Sequence, residues 1–350
     1  MRGDAVVVGA GIGGLCTAIG LRRAGWTVRV LERWPEVVGI GAALGVWPEA
    51  SRGLARVGLA DAFAAASVPV AAAAVYRRDG GVLLRIPDDS PRIPPVRLIS
   101  RRRLMDLLLE QAGGIEIRTG VAAAEPELRA ALADTDVLIG ADGLRSGVRA
   151  AFFRQERCGP RYSGLIGWRG YVDFESGGYG ETWADGAIFG NTPMAPGKTN
   201  FYAALRAPED GVATFTELRG RYAGWRGPIP RILTAASEDD VLRNPIYDLH
   251  PPLRSFVTDR VALLGDAAHA MTPHLGRGAC EAISDADSLV ARLTEAAQVA
   301  TALRAYDRQR RKPAQRIARR SWQMMRVSHA RGAPARVRDT LVRGAGLVVR

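Results

Sequence analysis

The chain has 350 residues and 47% hydrophobic content, which excludes a disordered, fibrous or disulfide-scaffolded protein and fits one large soluble domain or two interleaved ones. Cys16, Cys158 and Cys280 are scattered and odd in number, and no Cys-x-x-Cys or Cys/His spacing occurs, so a reducing compartment and no metal site are expected. The net charge of +12 lies wholly in residues 301–350, where 14 Arg/Lys meet only Asp307 and Asp339; the first 300 residues are balanced.

Asp4–Gly9 (DAVVVG) reads as a buried strand, β-branched and ended by glycine. Gly11 to Ala24 has helical spacing through Leu15, Ile19 and Leu21, with Gly25 as a stop. The apolar stretch Ala5–Leu21 is too short and too interrupted by glycine for a membrane span or leader, and a cytoplasmic protein without stable membrane insertion is expected. Thr27–Leu31 is a second strand ending at Glu32, which completes a βαβ start. Gly39–Trp47 (GIGAALGVW) is a glycine-rich loop, followed by a helix from Pro48 to Val57.

Residues 68–98 alternate strand-like runs (AAAAVYRRD, GVLLRI) with a connection through Pro87, Pro91, Pro94 and Pro95. Arg101–Gln111 is a helix with Leu104, Leu107 and Leu108 on one face; Ile115–Arg118 and Asp136–Ala141 are strands. Residues 161–235 carry aromatic-rich strand segments that suit a separate, mostly antiparallel sheet. Arg260–Leu264 returns to the buried-strand pattern, and Ala279–Leu293 is helical. The tail from Val299 to Val349 is helical, with breaks expected at Pro313 and Pro334. Its interleaved Ile317, Trp322, Met325 and Val327 read as helix faces packed on a body, with a solvated basic face; an anion- or membrane-facing role is the alternative. The fold expected is α/β. A Rossmann-type domain is formed by 1–67, 98–160 and 255–312, an inserted sheet domain by 68–97 and 161–254, and a basic helical tail by 313–350.

Three motifs carry chemistry. In Gly9-x-Gly11-x-x-Gly14 the glycines serve a tight turn, close approach to a pyrophosphate, and helix-on-strand packing. Glu32, 18 residues beyond Gly14 at the end of the second strand, is placed to accept from adenosine ribose hydroxyls. The second motif, Gly140-Ala141-Asp142-Gly143-Leu144-Arg145-Ser146-Gly147, ends a strand in Asp-Gly. The third is Gly265-Asp266-Ala267-Ala268-His269, continuing through Pro273 to Gly276-Arg277-Gly278-Ala279. There a strand delivers an aspartate at its carboxyl end and a helix then opens, with amides and a positive dipole end free to face a negatively charged ligand.

In order and spacing these motifs resemble the class A flavoprotein monooxygenases, the para-hydroxybenzoate hydroxylase-like aromatic hydroxylases, from Asp4 to about Lys312. The resemblance implies FAD as cofactor, NAD(P)H as co-substrate, and transfer of one atom of O₂ to a small aromatic or heteroaromatic through a flavin C4a-hydroperoxide. It implies that Gly9, Gly11, Gly13, Gly14 and Glu32 hold the ADP half, with Val121 touching the adenine side through its backbone and Arg33 also cofactor-binding. Gly45 is implied as cofactor-binding, and Arg101, at a helix start one residue shorter than the family's Arg-x-x-x-Leu, as a contact of the flavin-side pyrophosphate or ribityl. Asp142 and Asp266 look like the family's two shared aspartates, and Gly276, Arg277, Gly278, Ala279 and Cys280 the turn at the flavin's pyrimidine edge.

Within the family, Gly41–Pro48, Arg221–Trp225 and Thr272-Pro273 are similar to the bacterial urate-hydroxylase-like branch. Three positions depart from it: Arg169 replaces a polar amide residue, Arg277 a Gln and Glu49 an Asn. Residues 119–136 are too few for the family's extra β-hairpin. No catalytic residue is assigned; the candidates are Arg169, His269 and Tyr202. Period-2 alternation puts Arg169 and Tyr171 opposite Ile166 and Trp168, making Arg169 a candidate contact for a substrate anion or carbonyl. Tyr202 and Phe201 are candidate walls, and His269 a candidate proton relay beside its structural reading. His250, His274 and His329 show no Ser/Asp partner pattern. A reductase or dehydrogenase that never activates oxygen is the alternative enzyme; a flavin-bearing nucleic-acid or membrane binder is the non-enzymatic one. No nucleic acid partner is expected, and the chain reads as a monomer or homodimer.

Overall fold

The structure, a computed structural model, describes residues 3–39, 41, 43–70, 73–86, 95–212 and 214–348, with side-chain surroundings as far as 344. Ile40 and Ala42 of the glycine-rich loop, Ala71, Ala72, Pro87, Pro91, Pro94 and Val349 lie outside the described residues.

In chain order, β1 (Asp4–Val8), α1 (Ile12–Arg23) and β2 (Thr27–Leu31) form the βαβ start. β3 (Ala43–Val46), α2 (Pro48–Arg56), α3 (Ala60–Ala66), β4 (Val68–Pro69), β5 (Ala73–Arg77), β6 (Val82–Ile86) and β7 (Arg97–Ser100) follow. Next come α4 (Arg101–Gln111), β8 (Glu116–Arg118), α5 (Glu125–Ala133), β9 (Val137–Gly140) and α6 (Gly147–Phe152). The middle of the chain holds β10 (Gly159–Val172), β11 (Gly180–Ala184), β12 (Ala187–Ala195), β13 (Lys198–Arg206), α7 (Phe215–Arg221), α8 (Ile229–Ala235) and β14 (Leu242–His250). It closes with β15 (Val257–Thr258), β16 (Val261–Leu263), α9 (Asp266–His269), α10 (Gly278–Glu295), α11 (Val299–Ser328) and α12 (Gly332–Val348).

A six-stranded sheet has the order β15-β16-β9-β1-β2-β8, parallel except at β15. Its central strands β1 and β9 lie between helical layers, so Ala5–Val8 and Val137–Ile139 are buried on both faces and read as unbroken apolar runs. A seven-stranded sheet has the order β14-β10-β13-β12-β11-β5-β6, antiparallel except between β11 and β5. This α/β fold, a parallel nucleotide-type sheet beside an inserted antiparallel one, matches the expected class.

Period-2 alternation sorts the second sheet into two cores. Ile166, Trp168, Phe189, Phe201, Ala203 and Leu205 pack under α7 and α8, whereas Leu165, Trp183, Ile188, Ala204 and Ile246 pack under Trp322 and Met325 of α11. Helices thus cover both faces, which accounts for the aromatic richness of this stretch.

Several expectations need correction. Residues 161–235 are not all strand, because α7 and α8 occupy their last third. Thr214 caps α7 in a reciprocal box with Glu217, a start signal short enough to be lost among the aromatics. The segment 119–136 holds the helix α5 and no strand, in keeping with its being too short for a hairpin. Pro313 does not break the tail: α11 runs through it, with Ala314 buried one position on, because packing on the body outweighs the one hydrogen bond proline removes. The break falls instead at residues 329–331, and Pro334 sits in the first turn of α12, where a missing N–H costs little. Phe201 is core, stacked on Phe189 at 5.7 Å, not a wall of the site.

Candidate functional site

One cavity of about 700 Å³ joins the carboxyl ends of the parallel strands to one face of the second sheet. Gly11, Gly13, Ala141, Gly143, Asp266, His274 and the turn Gly276–Ala279 line it from the parallel-sheet part of the chain; Arg169, Glu181, Asn200 and Tyr202 line it from the second sheet, with Gly45 and Arg101 also in the lining. The strands deliver these turns here because parallel order points every βα turn to the same edge.

The β1–α1 turn is built for close approach. Gly9 takes φ +104°, and a Cβ on Gly14 would sit 1.9 Å from the Gly9 carbonyl oxygen, so both are glycine for the fold's own reasons. Gly11 is different. Its φ of −73° is open to any residue, and a Cβ there would meet nothing within 4 Å. Gly278, in the first turn of α10, has the same empty surroundings. Both line the cavity, and neither local backbone nor packing requires them to lack a side chain; a ligand lying against these two helix starts does. Glu32 is close by, its Oε2 accepting from the Ala10 amide at 2.7 Å and its carbonyl from the Val121 amide at 2.9 Å. Arg33 stacks over Trp34 beside it.

Not every predicted residue reaches the cavity. The Asp142 carboxylate accepts from Ser146 Oγ at 2.6 Å and the Val148 amide at 3.1 Å, tying down the start of α6, and burial raises its carboxyl. Cys280 is buried, its thiol donating to the Gly45 carbonyl at 3.2 Å and pushed up to about 11 by burial. His269 is 3% exposed and lies behind the site, with Nε2 at 2.5 Å from Asp285. Asp285 in turn accepts from Arg310 at 2.7 Å, so this histidine belongs to a buried ionic group.

Arg277 and Glu49, the two departures at the turn and after Trp-Pro, form an ion pair with each other. Arg277 also reaches Glu281 at 2.8 Å and lies over the Trp47 ring at 4.9 Å. The exchange of two amides for two opposite charges is thus self-consistent.

The opposite wall carries a charge pattern. Arg169 has no ion pair or hydrogen bond among the described residues, and burial followed by the neighbouring Arg101 lowers its affinity for a proton. Arg101 is lowered by burial and held up by the field of Asp266. Beside Arg169, its cross-strand neighbour Tyr202 donates to Glu181 Oε1 at 2.7 Å, and Trp183 Nε1 donates to Glu181 Oε2 at 2.6 Å. Burial first and the Glu181 carboxylate second raise the Tyr202 hydroxyl, which stays protonated. Asn200 binds the Ala43 amide at 3.1 Å and Thr192 at 3.0 Å, pinning the glycine-rich loop to the sheet. His274 has both ring nitrogens buried and without a hydrogen-bond partner among the described residues, and burial pushes it down to about 3. Sequence reasoning missed Glu181 and His274. Glu181 was legible as a lone acid alternating with Trp183; His274 carried no signal, since only the turn after Pro273 brings it to the cavity.

The family described as FAD binding domain matches residues 2–170 and 247–321. A curated relative, aurachin C monooxygenase/isomerase of Stigmatella aurantiaca, is 35% identical over 86% of this chain and 83% of its own length. FAD-dependent urate hydroxylase of Klebsiella pneumoniae is 32% identical over 87% of this chain and 85% of its own. The solved HpxO protein of Klebsiella pneumoniae, complexed with FAD and uric acid, superposes with a TM-score of 0.86 at 25% identity, over 99% of this chain and 94% of that one. On the matching sequence, the shared fold and a groove floored by helix starts, the chain belongs to the FAD-binding-domain family and is an FAD-dependent monooxygenase.

Proposed function

We propose that the cavity holds FAD along its length and a small aromatic or heteroaromatic substrate against the second sheet. The carrying observation is that Gly11, Arg101, Asp266 and Gly278 share one cavity with Arg169, Glu181, Tyr202 and His274. The amides at the start of α1 face the pyrophosphate, Glu32 the adenosine ribose, and Asp266 with Arg101 the ribityl and phosphate. The start of α10 presents its amides to the flavin's pyrimidine edge, where charge develops on reduction. When bound, FAD supplies hydride acceptance from NAD(P)H and activation of O₂.

The chain's own residues then select and hold the substrate. Arg169 binds an anionic or carbonyl oxygen, since a half-buried guanidinium with no carboxylate partner is complementary to one. Glu181, held by Tyr202 and Trp183, accepts from a substrate N–H or O–H. His274, neutral through burial, offers either an acceptor or a donor nitrogen to the same ring. The urate hydroxylase relative acts on a fused nitrogen heteroaromatic, and a ring of that class, with an acidic oxygen and a ring N–H, fits this wall.

The test is purification, a visible absorbance spectrum, and a screen of phenols, hydroxypyridines, quinolones and purines for accelerated flavin bleaching by NADPH. The expected result is a yellow protein bleached faster by ligands carrying both groups. Acceleration only by neutral hydrocarbons would overturn the substrate reading.

A further inference from the structure

We propose that the exposed face of α11 and α12 docks this enzyme on an anionic lipid bilayer, as a peripheral contact and without insertion. The first observation is charge. Arg310 is neutralised by Glu281 and Asp285, Arg311 by Asp307 and Arg338 by Asp339. Arg316, Arg319, Arg320 and Arg326 on α11, and Arg336 and Arg343 on α12, are exposed and form no ion pair among the described residues. On α11, Arg319 and Arg320 lie three and four residues beyond Arg316, on the same side of the helix.

The second observation is independent and apolar. Between the last turns of α11 and α12 runs a groove lined by Val327, Ala330, Ala333, Pro334, Val337 and Leu341. Val327 is 44% exposed, Val337 59% and Leu341 69%, against a described surface whose other large exposed hydrophobics are only Trp34, Val38 and Val82. An apolar strip with the unpaired Arg326 in its lining, and Arg316, Arg319 and Arg320 within three turns upstream on α11, is what an interfacial helix presents to a headgroup layer. Charge decides between occupants. A second copy would bring the same cations to the contact and be repelled, and a nucleic acid would use the cations but leave the strip in water. An anionic bilayer uses both.

The placement also serves the cavity. Arg338, beneath the groove, lies over the Trp183 ring at 5.4 Å, and Trp183 holds Glu181 in the substrate wall. Docking through this face therefore brings the cavity's far wall to within a few side chains of lipid. No helix among the described residues is long and apolar enough to cross a membrane.

The test is co-sedimentation of the FAD-loaded full chain with vesicles of phosphatidylcholine alone or mixed with phosphatidylserine, at low and high salt. Binding is expected only with phosphatidylserine, falling as salt rises. Val337→Asp/Leu341→Asp and, separately, Arg319→Glu/Arg320→Glu should each weaken it at least about tenfold, with flavin absorbance and NADPH oxidation unchanged. Three results would overturn the proposal: no binding or equal binding to neutral vesicles; binding unaffected by the aspartates and competed away by duplex DNA; or a dimer by light scattering that Leu341→Asp dissolves.

Discussion

Arg169, which forms no ion pair among the described residues, lies in the field of Arg101 in the same cavity, and burial weakens the proton affinity of both. Such a pair is unfavourable in an empty site and becomes favourable when anions occupy it, which makes its removal diagnostic. Arg169→Gln should raise KM for the aromatic substrate about 10- to 100-fold, the range of one lost charge-assisted hydrogen bond, while leaving FAD content intact. Steady-state kinetics beside the flavin spectrum checks this; loss of FAD with unchanged KM would assign Arg169 to the cofactor instead. His274 and His329 lie with ring centroids 5.0 Å apart, and burial pushes them down to about 3 and about 4. Below the ordinary value of 6.5, the unfolded chain takes up protons that the folded rings refuse. Stability is therefore retained above about pH 6.5 and lost as pH falls toward the folded values. His274→Leu should show a smaller drop in melting temperature between about pH 7 and pH 5 than the parent; equal drops would contradict the burial argument.

The helices α1 and α10 show which parts of the site the sequence carries openly. Glycine spacing, the strand before it and Glu32 after it placed the first helix start correctly, because backbone constraints are local and each leaves a residue signature. The start of α10 was legible for the same reason. The partnership of Glu49 with Arg277 was not, since it joins α2 to α10 across 228 positions and appears in the sequence only as two unrelated departures. The same limit hid His274, and it hid α7 and α8, whose burial against the sheet decides their state more than their short sequences do. Reading the departures as one pair gives a test. Arg277→Gln strands the Glu49 carboxylate beside an anionic cofactor and should weaken FAD binding about tenfold, whereas Glu49→Asn/Arg277→Gln should return it to within about threefold of the parent. Fluorescence titration of the apoprotein with FAD measures this, and additive losses would show that the two charges act separately.

At the scale of the molecule, two sheets with separate cores meet at one cavity, and function follows from what each side contributes: helix starts and acids from the parallel sheet, a polar and cationic wall from the inserted one. The sequence divides by charge as well, with the first 300 residues balanced and the net +12 confined to the last 50. The claim on which this rests is that FAD lies against the start of α1, and glycine 11 tests it most directly because the fold itself does not need that glycine. Gly11→Val should therefore fold with an unchanged far-ultraviolet spectrum and an apoprotein melting temperature near that of the parent, yet be purified colourless and take up no FAD. Gly14→Ala, whose Cβ would meet the Gly9 carbonyl oxygen, should instead lose the fold. A Gly11→Val protein that is yellow, with one FAD per chain bound as tightly as in the parent, would contradict the account.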